Sequence, residues 1–135
     1  MLKMFKLGIL ALILASFVAC SSDSPGDVVK DFTNNAFNNK TEKMLSNLLS
    51  KEEMKEEFKK EGKKEASIGK MQMLAGRVQN MTASHGGLKS VEILEEKIEG
   101  DTAKVKARTN FKDGKSSDDN FRLRKAKDGW KIQLN

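Results

Sequence analysis

The sequence predicts an α+β domain in which N-terminal helices pack on one face of a four-stranded antiparallel sheet. Three observations carry the prediction. Apolar residues recur at helical spacing from Val28 to Met81, they alternate with polar ones from Val91 to Leu134, and Gly-Asp or Asp-Gly dipeptides punctuate the second half. Helices first and strands afterwards is the order of an α+β fold. A length of 135 residues allows one compact domain, and a single Cys excludes a disulfide-stapled scaffold. The composition also excludes a multidomain enzyme and a polytopic membrane protein.

The apolar residues crowd toward the N-terminus. Met1-Leu2-Lys3-Met4-Phe5-Lys6 supplies two positive charges, and Leu7 to Ala19 follows as thirteen uncharged residues, so residues 1–19 have the layout of a secretory leader. A helix of that length rises about 20 Å, short of the roughly 30 Å hydrocarbon core, so cleavage is expected rather than a permanent span. Phe17-Val18-Ala19-Cys20 resembles the bacterial lipobox, with Phe17 standing where Leu is usual. That resemblance implies a diacylglycerol thioether on Cys20, removal of the leader, and acylation (palmitate) of the new N-terminus. Residues 20–24 then form the lipidated Cys and a short tether, and 25–135 form the domain. Two or three acyl chains, at about 0.8 kcal/mol per buried CH₂, hold such a domain at the bilayer indefinitely. Ser21 in place of Asp after Cys20 implies, by the sorting rule of enteric-type Gram-negative bacteria, an outer-membrane address facing the periplasm. Loss of Lys3 and Lys6 changes the charge balance from 25 − 19 = +6 to 23 − 19 = +4.

Within the domain, Ser24-Pro25-Gly26-Asp27 reads as a helix start: Ser24 as N-cap, Pro25 at the first helical position, Asp27 as the capping-box acid. Val28, Val29, Phe32, Ala36 and Phe37 form its core face, and the Asn-rich stretch ends the helix by Asn39. A second short helix starts at Thr41 and buries Met44, Leu45, Leu48 and Leu49. Ser50-Lys51-Glu52-Glu53 is another capping box. It opens a charged segment, Lys51 to Glu65, in which six Lys balance six Glu and only Met54 and Phe58 point inward. Ile68, Met71, Leu74, Val78 and Met81 resume the helical pattern. Gly62, Gly69 and Gly76 fall seven apart, which predicts either close backbone packing along one helix face or a break near Gly62 or Gly69.

Thr82-Ala83-Ser84-His85-Gly86-Gly87 is a loop by composition, after which the period switches to 2. Val91 and Ile93 mark the first strand; Ala103, Val105, Ala107, Thr109 and Phe111 the second; Phe121 and Leu123 the third; Trp130, Ile132 and Leu134 the fourth. Gly100-Asp101, Asp113-Gly114 and Asp128-Gly129 are the turns, and the two Asp-Gly dipeptides favour tight hairpins.

From Val28-Val29-Lys30-Asp31-Phe32 through Leu45-Ser46-Asn47-Leu48-Leu49-Ser50 and Gly87-Leu88-Lys89-Ser90-Val91-Glu92-Ile93 to Lys127-Asp128-Gly129-Trp130-Lys131-Ile132, the chain resembles a family of small bacterial lipoproteins of unknown function. Their domain has the cystatin-like cone of the nuclear-transport-factor-two superfamily. The resemblance implies a curved sheet wrapped around helices, often with a pocket inside the cone, and no single activity.

Enzymes of that superfamily combine Asp, His or Tyr groups in an apolar cone, whereas this chain has no Tyr and no paired carboxylates among its inward strand positions. His85, the one imidazole, is expected as an exposed loop residue or a ligand contact. No HxH or CxxC spacing offers a metal site, no cofactor motif is present, and Cys20 is committed to lipid. The outward strand positions are basic: Lys104, Lys106 and Arg108, then Arg122 and Arg124, then Lys131. A simple meander would gather these six on one face, either as a solvated surface partly neutralised by Glu92, Glu95, Glu96, Asp118 and Asp119, or as a site for an anionic lipid, glycan or envelope protein. With no aromatic interleaved among the charges, nucleic acid is a poor fit. The expectation is a lipid-anchored, non-catalytic cell-envelope module. The alternatives are a carrier or enzyme for a small apolar ligand inside the cone, and a protein-binding inhibitor with an exposed apolar patch.

Overall fold

The computed structural model describes residues 23–134; the predicted leader, Cys20 and the tether up to Ser22 lie outside them. Four helices precede four strands: α1 Pro25–Phe37, α2 Thr41–Ser46, α3 Lys51–Phe58, α4 Lys63–Ser84, then β1 Leu88–Glu99, β2 Thr102–Phe111, β3 Ser116–Ala126 and β4 Gly129–Gln133. The strands form an antiparallel meander in the order β1-β2-β3-β4. The predicted α+β architecture is what the chain adopts.

The local signals act where they stand in the sequence. Ser24 Oγ accepts a hydrogen bond from Asp27 N at 3.1 Å, and the Asp27 carboxylate accepts one from Ser24 N at 3.3 Å, completing the capping box of α1. The same reciprocal pair, Ser50 and Glu53, starts α3. Val28, Val29, Phe32 and Ala36 are buried, but Phe37 is only half-buried. Its row, Val29–Thr33–Phe37, drifts off the core because the helix turns every 3.6 residues and not every four. Leu48 and Leu49 fall just past the end of α2 and are half-buried.

Gly62 breaks the charged segment, adopting the left-handed backbone (φ +78°) that L side chains disfavour, and α4 then runs unbroken through Gly69 and Gly76. A Cβ at Gly69 or Gly76 would meet nothing within 4 Å, so these glycines admit no close neighbour. Met71, Ala75 and Thr82 form the buried line of α4, whereas Met81 is about one-third exposed (36%).

Alternation is cleanest in β2, where Ala103, Val105, Ala107, Thr109 and Phe111 are all buried. Leu123, Trp130 and Ile132 extend this layer against α1, α2 and α4. Burial of each large apolar side chain here contributes about 1.5–3 kcal/mol. Leu134 lies beyond β4 and is exposed, so the fourth strand is one pair shorter than its alternation predicts. A register shift between Ile93 and Glu95 bends β1, the usual effect of a bulge. The residual space between α1, α4, β2 and β3 is about 90 Å³, so packed side chains fill most of that part of the cone, whereas an open groove of about 340 Å³ lies between α2, α4 and β4.

Two turns are tight: Gly100-Asp101 and Lys127-Asp128 are two-residue connections between paired strand ends. The Asp113-Gly114 turn is wider, because Lys112 N bonds to Gly87 O and Asp113 N to His85 O, drawing the turn onto the end of α4.

Candidate functional site

Alternation puts Lys104, Lys106 and Arg108 of β2 and Arg122 and Arg124 of β3 on the sheet face opposite the helices. The structure divides the six predicted cations into two groups. Arg108 makes a bidentate pair with Asp118, Nε to Oδ1 at 2.8 Å and Nη2 to Oδ2 at 3.0 Å. This pairing holds the Asp118 carboxyl below its usual range and raises the Arg108 guanidinium further above its own.

Arg124 and Lys131 are covered by the segment between α2 and α3, which runs along the outer edge of β4. Ile132 N donates to Asn47 O at 2.8 Å, so the edge strand is not left open. Lys131 Nζ, its side chain 9% exposed, donates to Ser46 O at 2.8 Å and lies 3.6 Å from Asp128 Oδ1. Arg124 Nη2 donates to Leu48 O at 2.9 Å and to Glu53 Oε1 at 2.7 Å. The Arg124 hydrogen bond, followed by that from Ser50 N, holds the Glu53 carboxyl down at about 2. Three of the six predicted residues therefore hold the fold together.

Lys104, Lys106 and Arg122 remain exposed and, among the described residues, make no ion pair within 4 Å. They line an open trough of about 670 Å³ across the sheet, walled by Glu95 and Lys97 of β1 on one side and by Gln133 and Leu134 on the other. The trough continues past Thr102 as a further 250 Å³. Lys97, which belongs to this set, was missed from the sequence because the bulge at Leu94 resets the alternation of β1.

The acids expected to neutralise this face also divide. Glu92 and Glu95 lie in register with Arg108 and Lys106. Glu96 instead shares the helix-side register of Val105, and its Oε1 accepts a hydrogen bond from Gly26 N at 2.7 Å, where an anion suits the positive end of α1. Asp119 lies opposite Ala107, in the helix-side register, and also borders the end of the trough. The loss of Glu96 to the helix side leaves the trough more positive than the sequence suggests.

His85 is half-buried rather than a free loop residue. Its ring stacks on Phe111 with centroids 4.7 Å apart, and Nδ1 donates to Asp113 Oδ2 at 2.8 Å. Asp113 also accepts from Lys115 N, and that bond, more than His85, lowers its carboxyl below the usual range. The pair clips the β2–β3 turn to the end of α4. Among the described residues there is no group of three or more His, Cys, Asp or Glu placed to hold a metal, and no helix is long and apolar enough to cross a membrane.

A second polar cluster escaped the sequence reading. Asn35 is buried and donates to Asn47 Oδ1 at 3.0 Å, while Asn47 donates to Asp31 Oδ2 at 3.0 Å. It ties α1 to the segment that covers β4.

Comparison with known proteins gives a family and a fold. A family model described as "Domain of unknown function (DUF4878)" matches residues 18–133. A crystal structure from Campylobacter jejuni, provisionally named an NTF2-like transpeptidase, superposes with a TM-score of 0.69 at 23% identity, covering 84% of this chain and 100% of that one. At that identity the likeness shows the cone fold alone. No curated protein sequence matches the chain.

Proposed function

The chain belongs to the DUF4878 family, and from that premise we propose that it is a lipid-anchored, non-catalytic protein of the bacterial cell envelope whose domain docks on an anionic membrane surface through the open sheet face. The anchor rests on Cys20 behind its leader. The docking face rests on one observation, the trough in which Lys104, Lys106 and Arg122 stand exposed without ion-pair partners among the described residues. Each basic group near an anionic bilayer contributes about 1 kcal/mol, enough to orient a domain already moored there. The space enclosed between α1, α4, β2 and β3, about 90 Å³, is small for a ligand and weighs against the apolar-carrier alternative there, while the larger apolar groove of about 340 Å³ lined by Leu45, Leu48, Met71 and Ile132 is open to solvent. A structural role for His85, Arg124 and Lys131 favours binding over catalysis.

The test uses the chain from Ser21 onward, which contains all eight elements and no acyl site. It is expected to sediment with vesicles containing anionic lipid but not with neutral ones. Raising the salt should release it, since exposed charges are screened within about 8 Å at physiological ionic strength. Charge reversal by Lys106→Glu with Arg122→Glu should abolish sedimentation; binding that survives the double reversal rules this face out.

A further inference from the structure

We propose that the trough is a binding site for a terminal phosphate group, a phosphomonoester, centred between Lys104 and Arg122. The inference rests on the docking reading above and names its ligand.

The argument starts from a violation of sheet electrostatics. Like charges directly opposite each other on neighbouring strands destabilise a sheet. Lys97 pairs in register with Lys104, Lys104 with Arg122, and Arg122 with Gln133, so three cations stand side by side in one cross-strand row. With strands about 4.8 Å apart, the three span roughly 10 Å. Neighbouring rows do not repeat the arrangement. Glu92, Arg108 and Asp118 share one row, and Glu95, Lys106 and Asn120 share the next, each with acid beside base. Among the described residues the carboxylate that pairs with this row is Glu99, 3.7 Å from Lys97 on its own strand, and no acid shares the register positions of Lys104 and Arg122.

A phosphomonoester matches that row in charge and geometry. It carries close to two negative charges at neutral pH and three acceptor oxygens. Arg122 supplies a planar fork that can engage two of those oxygens, Lys104 a point charge beside it, and Gln133 a neutral donor at the end of the row. Lys106 lies two residues along β2, about 6.8 Å away, within reach of the same group. Carboxylates and phosphodiesters bring one charge and leave the row under-neutralised. Glu95, Glu99 and Asp119 border the trough and repel the anion from its margins toward Lys104. The combined trough also has room for the glycerol or sugar that bears the phosphate.

The test is a titration of the full-length chain in neutral detergent, read from amide resonances of β2 and β3. Glycerol 3-phosphate should bind at least tenfold more tightly than dimethyl phosphate. Its affinity should rise several-fold between pH 5 and pH 7.5 as the second phosphate proton, with a pKa of about 6, is lost, while the diester shows no such rise. Lys104→Gln and Arg122→Gln should each weaken binding at least tenfold. Because Lys104→Gln also relieves repulsion, its melting temperature should be equal or higher; a lower one makes Lys104 a structural residue and overturns the proposal. Micelles doped with phosphatidic acid separate the sources of the phosphate. Tighter binding there than to glycerol 3-phosphate assigns a lipid headgroup, equal or weaker binding assigns a soluble phosphomonoester, and both uphold the site. Equal affinity for monoester and diester, or binding unchanged in both Gln variants, overturns it. Anionic vesicles that bind without any monoester preference defeat this inference and leave the docking reading standing; phosphate binding without vesicle binding does the reverse.

Discussion

Glu53 shows how much a single side chain carries in this molecule. It closes the capping box of α3 and at the same time receives Arg124 from β3, so one carboxylate joins a helix start to the sheet. Its folded pKa of about 2 lies below the ordinary 4.5. A lowered carboxyl pKa stabilises the fold above the unfolded value and loses that contribution as pH falls from about 4.5 toward 2. With two-fifths of the side chain exposed, solvent screening limits the contribution to about 1 kcal/mol. Glu53→Gln keeps the cap, since Gln also serves at that position, and loses the ion pair. Urea unfolding should find the variant less stable at pH 7 and the two proteins converging near pH 2; a constant difference across that window would contradict the assignment. The capping half of this role was legible in Ser50-Lys51-Glu52-Glu53. The Arg124 half was not, because nothing local announces a partner 71 residues away. Asn35 is a similar case: it reads as poor helix material, yet it is buried because Asn47 and Asp31 satisfy its amide.

At the scale of elements, glycine positions that look alike in sequence behave differently. Gly69 and Gly76 sit inside α4 with open space where a side chain would go, so Ala at either should stabilise the protein by about 0.5–1 kcal/mol. Gly26 sits in the first turn of α1, where a Cβ would approach Glu96 Oε1 to 2.8 Å and Ile93 to 3.2 Å, so Gly26→Ala should destabilise. Thermal melts of the three variants check both signs, and a loss of stability in Gly69→Ala would restore the close-packing reading of that helix face. Strand identity and order followed from period and turns, as did the inward residues apart from Leu134. The fate of the six cations did not follow from them. Alternation says which face a residue occupies, but not that residues 46–50 fold over the β4 end of that face and take Arg124 and Lys131 into hydrogen bonds.

For the molecule as a whole, the helices fill the concave side of the sheet and leave its other side bare from Lys97 to Gln133. The exposed face, with cations unpaired among the described residues, is taken as the working surface in the proposed function. A domain moored at a bilayer needs only weak, oriented contact there, and a few unneutralised cations provide it. In the proposed function it is the mooring through Cys20 that makes such contact sufficient. Intact mass spectrometry of the protein purified from the envelope of its native host tests this most directly. The account predicts a chain beginning at Cys20 and carrying the mass of its acyl groups, whereas a free Cys20 thiol, or residues 1–19 still attached, would contradict it.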